Sequence, residues 1–231
     1  MKKLGIIGAM AIEVELLKSQ MENITVTEKA GASYWEGKLR GLPAVVVQCG
    51  VGKVNAALCV QILVDLFAVT HIVNTGIAGS LDASLDIGDM VISQDVMYHD
   101  FTVAPFGYPW GQVPGMDVLA FPTDDRLRTL AESICRERGI AYRVGRVVTG
   151  DQFVCEDGEK QAIISRTGGF CTEMEGAAIA HAAYRNRIPV LVLRAISDKA
   201  DNSSFVEYPV FEAQAARHCA EITGALAEAL V

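Results

Sequence analysis

Unbroken apolar runs alternate with longer segments of helical spacing from one end of the chain to the other. Residues 4–7, 44–49 and 190–195 are runs of this kind, which are typical of strands covered on both faces. In the longer segments, apolar residues recur every three or four positions, as on the buried face of a helix. Because such strands need helices on both sides, the pattern predicts an α/β fold built as a three-layer αβα sandwich.

The pattern places eight strands and six helices along the sequence. The predicted strands cover residues 4–7, 24–29, 34–39, 44–49, 71–74, 90–93, 143–148 and 190–195. The predicted helices cover residues 11–21, 53–67, 124–138, 159–166, 173–186 and 205–230. No low-complexity linker or internal repeat separates two halves, so we expect a single α/β domain over residues 1–231.

Charge and cysteine usage exclude several classes of protein. The net charge of -8, with no Lys or Arg run longer than two residues, argues against a nucleic-acid partner. Six cysteines without a C-x-x-C spacing predict reduced thiols, a cytoplasmic location and no zinc site. The apolar start after Lys3 is broken by Gly5, Gly8 and Glu13, and no apolar stretch approaches the roughly 18 residues of a membrane span.

Familiar nucleotide-binding and hydrolase motifs are incomplete in this sequence. The stretch from Gly50 to Lys53 resembles a phosphate-binding loop, but Val47 and Val54 occupy positions that need Gly and Ser or Thr. It also fails as a dinucleotide fingerprint, because Asn55 replaces the third glycine. Neither a G-x-S-x-G elbow nor an H-E-x-x-H helix occurs, so serine and zinc hydrolases are disfavoured.

Two features depart from the regular alternation. Residues 103–115 contain three of the chain's seven prolines, three glycines and three aromatic residues. This composition favours a long loop acting as a lid or an interface, or an ordinary packed surface loop. Arg194 lies inside the apolar run 190–196, so it should be buried beside a carboxylate or another strong acceptor. We expect that acceptor near the carboxyl end of a strand.

Three carboxylates stand at the ends of predicted elements, where α/β sheets gather their ligands. Glu13 falls in the first turn of a helix, where the dipole favours the ionised form, and is expected to be exposed there. Glu175 closes the stretch from Thr172, which has the form of a capping box. Asp198 follows the last apolar strand, where an Asx-turn or helix cap is the ordinary explanation.

Considered in order, short segments along essentially the whole chain resemble the bacterial 5'-methylthioadenosine/S-adenosylhomocysteine nucleosidases of the purine nucleoside phosphorylase superfamily. Each segment is a weak signal alone, but their shared order is specific. The segments are residues 5–10 with Glu13, 49–54, 74–79, 98–100, 106–108, 111–115, 150–153, 173–175 and 194–198. The resemblance implies a nucleoside-phosphorylase-like fold with a central mixed, twisted β-sheet.

The resemblance also implies the role of each site residue. Asp198 would protonate purine N7, Glu13 would activate water, and Glu175 would bind the ribose hydroxyls. Phe153 would stack on adenine, and the Val154 backbone would bind the edge of the base. Met10, Val51 and Tyr208 would line the 5' end of the pocket. Arg194 and Ser197 would support the water, Glu175 and Asp198. The other implied pocket residues are Ile77, Ala78, Gly79, Glu173 and Met174.

In the family that the sequence resembles, a neighbouring subunit completes the 5' pocket. The resemblance therefore implies a homodimer with shared active sites, to which the partner would contribute Val103, Phe106, Tyr108 and Pro114. The other expected partners are an adenine nucleoside and water, and no cofactor is implied. Ile77 and Tyr208 stand where relatives often have Ser and Phe, which leaves open the preferred nucleoside: methylthioadenosine, adenosylhomocysteine, 5'-deoxyadenosine or an aminodeoxyfutalosine.

The chemistry that the resemblance implies is hydrolysis of the N-ribosidic bond, with Asp198 as general acid and Glu13 as general base. Adenine departs readily only when protonated, and an oxocarbenium-like sugar then accepts water. One alternative is a phosphate-dependent purine nucleoside phosphorylase, but residues 8–12 have no arginine and Asn74 stands where such enzymes resemble one another in having Arg. The other is a non-catalytic adenine-nucleoside sensor, against which the three retained carboxylates argue.

Overall fold

The apolar runs form the strands of a ten-stranded mixed sheet in the computed structural model, which describes residues 2–231. The strands are β1 (Leu4–Gly8), β2 (Met21–Lys29), β3 (Ala32–Leu39), β4 (Leu42–Gln48), β5 (His71–Ser80), β6 (Met90–Tyr98), β7 (Phe121–Pro122), β8 (Tyr142–Thr149), β9 (Cys171–Glu173) and β10 (Val190–Asp198). The helices are α1 (Ala11–Ser19), α2 (Lys53–Phe67), α3 (Asp125–Arg138), α4 (Asp157–Thr167), α5 (Gly176–Asn186) and α6 (Ser204–Ala229).

The sheet closes on itself at one end. β5 pairs in parallel with both β1 and β10. β10 also pairs with β6, in the antiparallel direction. The ring is completed by β8, which lies between β6 and β9, and by β9, which pairs antiparallel with β5. The outer end is the antiparallel meander β4–β3–β2. The long central strands β5 and β10 therefore run side by side through the middle of the fold.

Helices cover both faces of this sheet, as the sequence predicted. One apolar core packs α1, α3 and α6 against one face of β1, β5 and β10. A second core packs α2 and α5 against the opposite face, where Ile7, Ile72 and Val192 lie fully buried. Alternate residues of the central strands thus enter different cores, which explains why these strands read as continuous apolar runs.

Several predicted boundaries were wrong, and three of the differences bear on the site. The predicted strand 71–74 continues to Ser80, and the predicted strand 190–195 continues to Asp198. The predicted helix 173–186 begins only at Gly176, because Glu173 ends the short strand β9. The polar and glycine residues in these extensions lack an apolar pattern, and pairing between β5, β9 and β10 holds them in the sheet.

Other differences are local. The predicted helix 11–21 ends at Ser19, and β2 begins at Met21 instead of residue 24. The two-residue strand β7 was missed because it is too short to show alternation. Residues 103–115 form the expected long loop, whose only helical element is the 3-10 turn Ala104–Phe106. Within residues 2–231, no helix has the length and apolarity that crossing a bilayer would need.

Candidate active site

An open cavity of about 580 Å³ lies where the carboxyl ends of β1, β5, β9 and β10 meet. Three of the carboxylates singled out in the sequence line it, namely Glu13, Glu175 and Asp198. The cavity walls are otherwise mainly apolar, and no Lys, Arg or His from residues 2–231 is among the residues lining it. The arrangement suits a largely apolar, uncharged ligand that meets acidic groups at one end.

Glu13 lies beneath the cavity, held by three backbone amides. Its Oε2 accepts hydrogen bonds from the amides of Ala9 (2.6 Å) and Met10 (2.9 Å), and its Oε1 accepts one from Ile77 (3.2 Å). A Cβ at Gly76 would lie 2.5 Å from Glu13 Oε1, so only glycine leaves room for this carboxylate. The expectation of an exposed Glu13 was wrong, because these contacts leave the residue only 4% exposed.

Asp198 ends β10 and accepts three hydrogen bonds. Its Oδ1 accepts from the Ala200 amide (2.8 Å) and the Ser204 hydroxyl (2.7 Å), and its Oδ2 accepts from the Ser197 hydroxyl (2.8 Å). The bond to Ala200 is the Asx-type turn considered as an ordinary explanation, so this residue both closes a turn and lines the cavity. Together the three hydrogen bonds fix the orientation of the carboxyl group.

Glu173 and Glu175 have different functions at the start of α5. The capping box predicted from Thr172 was wrong: the Thr172 hydroxyl has no hydrogen-bond partner in the described chain, and Glu175 itself is the N-cap residue. Instead, Glu173 Oε2 accepts from the amides of Glu175 (3.1 Å) and Gly176 (2.7 Å). Glu175 is thereby left free to accept from the Gly52 amide at 2.8 Å and to face the cavity.

Arg194 is the buried cation of the site, and the predicted acceptor beside it is Glu173. One guanidinium nitrogen bonds both Glu173 Oε2 and Asn74 Oδ1, and another donates to the Leu193 carbonyl at 3.1 Å. Glu173 ends β9, which confirms the expectation of a partner near a strand end. Arg194 is 2% exposed and does not line the cavity, and its guanidinium forms an ion pair with Glu173.

Replacing Arg194 by methionine is expected to lower the free energy of unfolding by about 3–5 kcal/mol, because it leaves Glu173 as a buried charge without its cation. Urea unfolding followed by circular dichroism measures this change. The control is Arg128→Met, which removes two surface ion pairs, with Asp125 and Glu132, and should cost about 0–1 kcal/mol. Equal losses in the two variants would contradict a stabilising role for the buried pair.

The pKa values of the cavity carboxyl groups are raised by burial and lowered by the positive charge of Arg194. Burial raises the pKa of Glu13, while the charge of Arg194 and the three amide donors lower it in part. Burial, together with the negative charge of Glu173, raises the pKa of Glu175 to about 8. Burial works against the charge on Arg194, but Glu173, Glu13 and Glu175 outweigh it and raise its pKa. The site therefore holds carboxyl groups that exchange protons nearer neutral pH than exposed ones.

Most of the predicted pocket residues come together at this cavity. Phe153 lies edge-on to Tyr208, with ring centroids 5.5 Å apart, and the Tyr208 hydroxyl lies 3.4 Å from Met10 Sδ. Predicted residues that line the cavity are Met10, Glu13, Val51, Ile77, Ala78, Gly79, Phe153, Val154, Glu173, Met174, Glu175, Ser197, Asp198 and Tyr208. Those that do not are Arg194 and the four residues assigned to a partner subunit, Val103, Phe106, Tyr108 and Pro114.

The prediction missed three residues of the cavity wall and two that support it. Ala9, Gln152 and Thr172 line the cavity although none was assigned to it. Asn74 accepts from Arg194 at 2.5 Å, and the Thr149 hydroxyl donates to Glu173. All five lie within or beside segments that carried the resemblance, so their position was the available signal.

Fold and cavity together define the class of this protein as a nucleoside-phosphorylase-like α/β enzyme. The sequence matches the Phosphorylase superfamily over residues 3–229, which is nearly all of the chain. A 5'-methylthioadenosine/S-adenosylhomocysteine nucleosidase from Halalkalibacterium halodurans is 40% identical over 212 residues, covering 91% of each chain. The chain belongs to this nucleosidase family within the phosphorylase superfamily.

Solved structures agree with this assignment. The 5'-methylthioadenosine/S-adenosylhomocysteine nucleosidase from Neisseria meningitidis, in complex with methylthio-immucillin-A, superposes with a TM-score of 0.96. It is 35% identical, and the match covers 99% of this chain and 100% of that one. A futalosine hydrolase from Helicobacter pylori is 28% identical, with a TM-score of 0.94 and coverage of 99% and 98%. The predicted fold and family are therefore confirmed.

Proposed function

We propose that this chain hydrolyses the N-ribosidic bond of 5'-methylthioadenosine and S-adenosylhomocysteine, releasing adenine and the 5'-substituted ribose. 5'-Deoxyadenosine is expected to be a further substrate. The observation that carries the proposal is that a buried Glu13 and a buried Asp198 line one cavity on either side of residues 77–79. Glu13 accepts from the Ile77 amide, and a Cβ at Gly79 would lie 3.0 Å from Asp198 Oδ1.

This arrangement, with a carboxyl group at each end of residues 77–79, suits attack by water on the face opposite the leaving group. Inverting glycosidases divide their two carboxyl groups in the same way, one protonating the leaving group and the other activating water. We therefore assign Asp198 as the general acid at purine N7 and Glu13 as the base that activates water. Inversion at C1' is the expected stereochemical outcome.

The remaining residues have binding roles in the proposal. Glu175 binds the ribose hydroxyls beside Met174, Phe153 stacks on adenine, and the Val154 backbone binds the base edge. Ile77, Ala78 and Gly79 form the floor under the sugar. Ser197 supports Asp198 through its hydroxyl, whereas Arg194 pairs with Glu173 and its charge opposes the rise in the pKa of Glu13 and Glu175.

Met10, Val51 and Tyr208 form the apolar 5' end of the cavity, which suits a thioether substituent because each buried methylene contributes about 0.8 kcal/mol. We propose that a second copy of the chain closes this end through Val103, Phe106, Tyr108 and Pro114. Phe106 is 81% exposed and Tyr108 is 40% exposed in the single chain, which supports an interface at this loop. Six free cysteines support action in the reducing cytosol.

The test is to incubate the purified protein with methylthioadenosine, with and without inorganic phosphate, and to identify the sugar product. We expect adenine and free methylthioribose at the same rate in both conditions, because the cavity offers an anion no cationic side chain among residues 2–231. A phosphate requirement with a ribose-1-phosphate product would indicate a phosphorylase. Tight nucleoside binding without adenine release would indicate a sensor.

The same assay ranks the substrates. Kinetics with methylthioadenosine, adenosylhomocysteine, 5'-deoxyadenosine and an aminodeoxyfutalosine compare small and large 5' groups in one cavity. The Helicobacter pylori neighbour described as a futalosine hydrolase is the reason to include the last of these.

A further inference from the structure

Outside the cavity, three charged side chains form a surface cluster: Lys53, Asp100 and Asp151. Asp100 Oδ2 accepts from Lys53 Nζ at 2.5 Å and from the Asp151 amide at 2.9 Å. Asp151 Oδ1 accepts from the Lys53 amide at 2.9 Å, and its Oδ2 lies 3.6 Å from Lys53 Nζ. The cluster therefore ties the start of α2 to the loops that follow β6 and β8.

Two consecutive amides at the start of α2 bond different carboxylates. The Gly52 amide donates to Glu175 Oε1 inside the cavity, and the next amide, that of Lys53, donates to Asp151 on the surface. The two amides belong to successive peptide planes that share the Cα of Gly52, so the bond from the Lys53 amide to Asp151 holds one side of the turn from which the Gly52 amide points. The position of Asp151 is thus transmitted to the donor that holds Glu175.

Gly52 is adapted to this arrangement. Its φ of 98° is a conformation that other residues rarely adopt, and a Cβ there would lie 3.1 Å from Asp151 Oδ1. The turn at Gly52 is what allows the two amides to diverge towards Glu175 and Asp151.

We infer that Asp151 is a positioning residue, which fixes the start of α2 so that the Gly52 amide orients Glu175 towards the ribose. The inference rests on the proposed role of Glu175. An isolated surface ion pair would be too weak for this purpose. Here, however, the carboxylate accepts a hydrogen bond from a helix-start amide and also forms an ion pair with the lysine, and its charge strengthens both interactions.

The first test is the affinity of Asp151→Ala for a 5'-methylthio C-nucleoside of adenine, which binds without being cleaved. We expect Kd to rise about ten-fold, the effect of losing one well-oriented, charge-assisted hydrogen bond. With methylthioadenosine, KM should rise by the same factor while kcat stays nearly unchanged, because Glu175 binds the ribose in both the ground and transition states. Asp151→Asn keeps an acceptor for the Lys53 amide and should recover most of the affinity.

Two comparisons separate positioning from a general loss of structure. The control Glu36→Ala removes the ion pair between Lys3 and Glu36 and should leave Kd unchanged. The side chains of Lys3 and Glu36 are 23% and 41% exposed, which is close to the 24% and 50% of Lys53 and Asp151. In a Glu175→Ala background, Asp151→Ala should change Kd less than about two-fold, because the side chain that it positions is absent. An undiminished effect in that background would overturn the inference.

The failure of the inference differs from that of the proposed function. If the wild type releases adenine and Asp151→Ala binds the C-nucleoside with unchanged Kd, the positioning role is wrong and the hydrolase stands. If the wild type binds the C-nucleoside without cleaving methylthioadenosine, the hydrolase is wrong and the Kd values still decide the positioning role. A wild type that does not bind the C-nucleoside would overturn both.

Discussion

Asp198→Asn is expected to lower kcat for adenine release by about 10²- to 10⁴-fold, the usual contribution of a general acid. The amide oxygen can still accept from the Ala200 amide and the Ser204 hydroxyl, so the turn after β10 should persist. What is lost is the proton that purine N7 needs before adenine can depart. Steady-state kinetics with methylthioadenosine measure the loss, and thermal unfolding checks that the fold is retained.

The leaving group provides a sharper version of this experiment. A 4-nitrophenyl riboside releases a phenolate that needs no proton, so the variant should retain most of its activity on that substrate. Asp201→Asn makes the same chemical change three residues away, outside the cavity, and serves as the matched control. Substantial adenine release by Asp198→Asn, or an equal loss on both substrates, would show that Asp198 is not the acid.

Glu13→Gln is expected to lower kcat by about 10²- to 10⁴-fold with little change in nucleoside affinity, because only activation of water depends on the carboxylate. Both Glu13 oxygens accept from amides. Whichever way the glutamine amide is turned, its NH₂ group therefore faces a backbone N–H, and the side chain must shift slightly to relieve this contact. Binding of the C-nucleoside, measured by calorimetry, separates a loss of base from a loss of the pocket.

The pH dependence of kcat should change in the same variant. Glu13 acts as a base only when ionised, and burial raises its pKa, so wild-type activity should fall as pH drops through that raised value. Glutamine does not titrate, and this limb of the profile should disappear. Any limb from Glu175, whose pKa is raised to about 8, remains in both proteins.

Glu15→Gln, two residues along α1 on its exposed face, is the control. A large loss of affinity with normal turnover in Glu13→Gln would contradict the role of Glu13 as base.

The fold could be predicted from the sequence because its central strands are buried on both faces. Residues 4–7 and 44–49 became β1 and β4 with small changes, since their apolar runs match their burial. The ends of β5 and β10 could not be predicted in the same way. Residues 75–80 and 196–198 contain Gly, Thr, Ser and Asp, and they are strand because neighbouring strands pair with them.

The composition of the site was predictable, but its electrostatics were not. The order of short segments identified Glu13, Glu175 and Asp198, all of which line the cavity. The sequence did not indicate that Glu13 is buried, because its burial depends on amides at residues 9, 10 and 77. It also did not indicate that the direct partner of Arg194 is Glu173.

From the amino-acid sequence alone follow the α/β architecture, the family and the identity of the acidic residues, since these depend on local periodicity and on the order of residues. Tertiary structure decided the closed ring of five strands, the partner of Arg194 and the raised pKa values of Glu13 and Glu175. Those properties depend on which distant segments meet in a site of low dielectric. Desolvation and Coulomb interactions there are set by distances in space, which spacing along the chain does not specify.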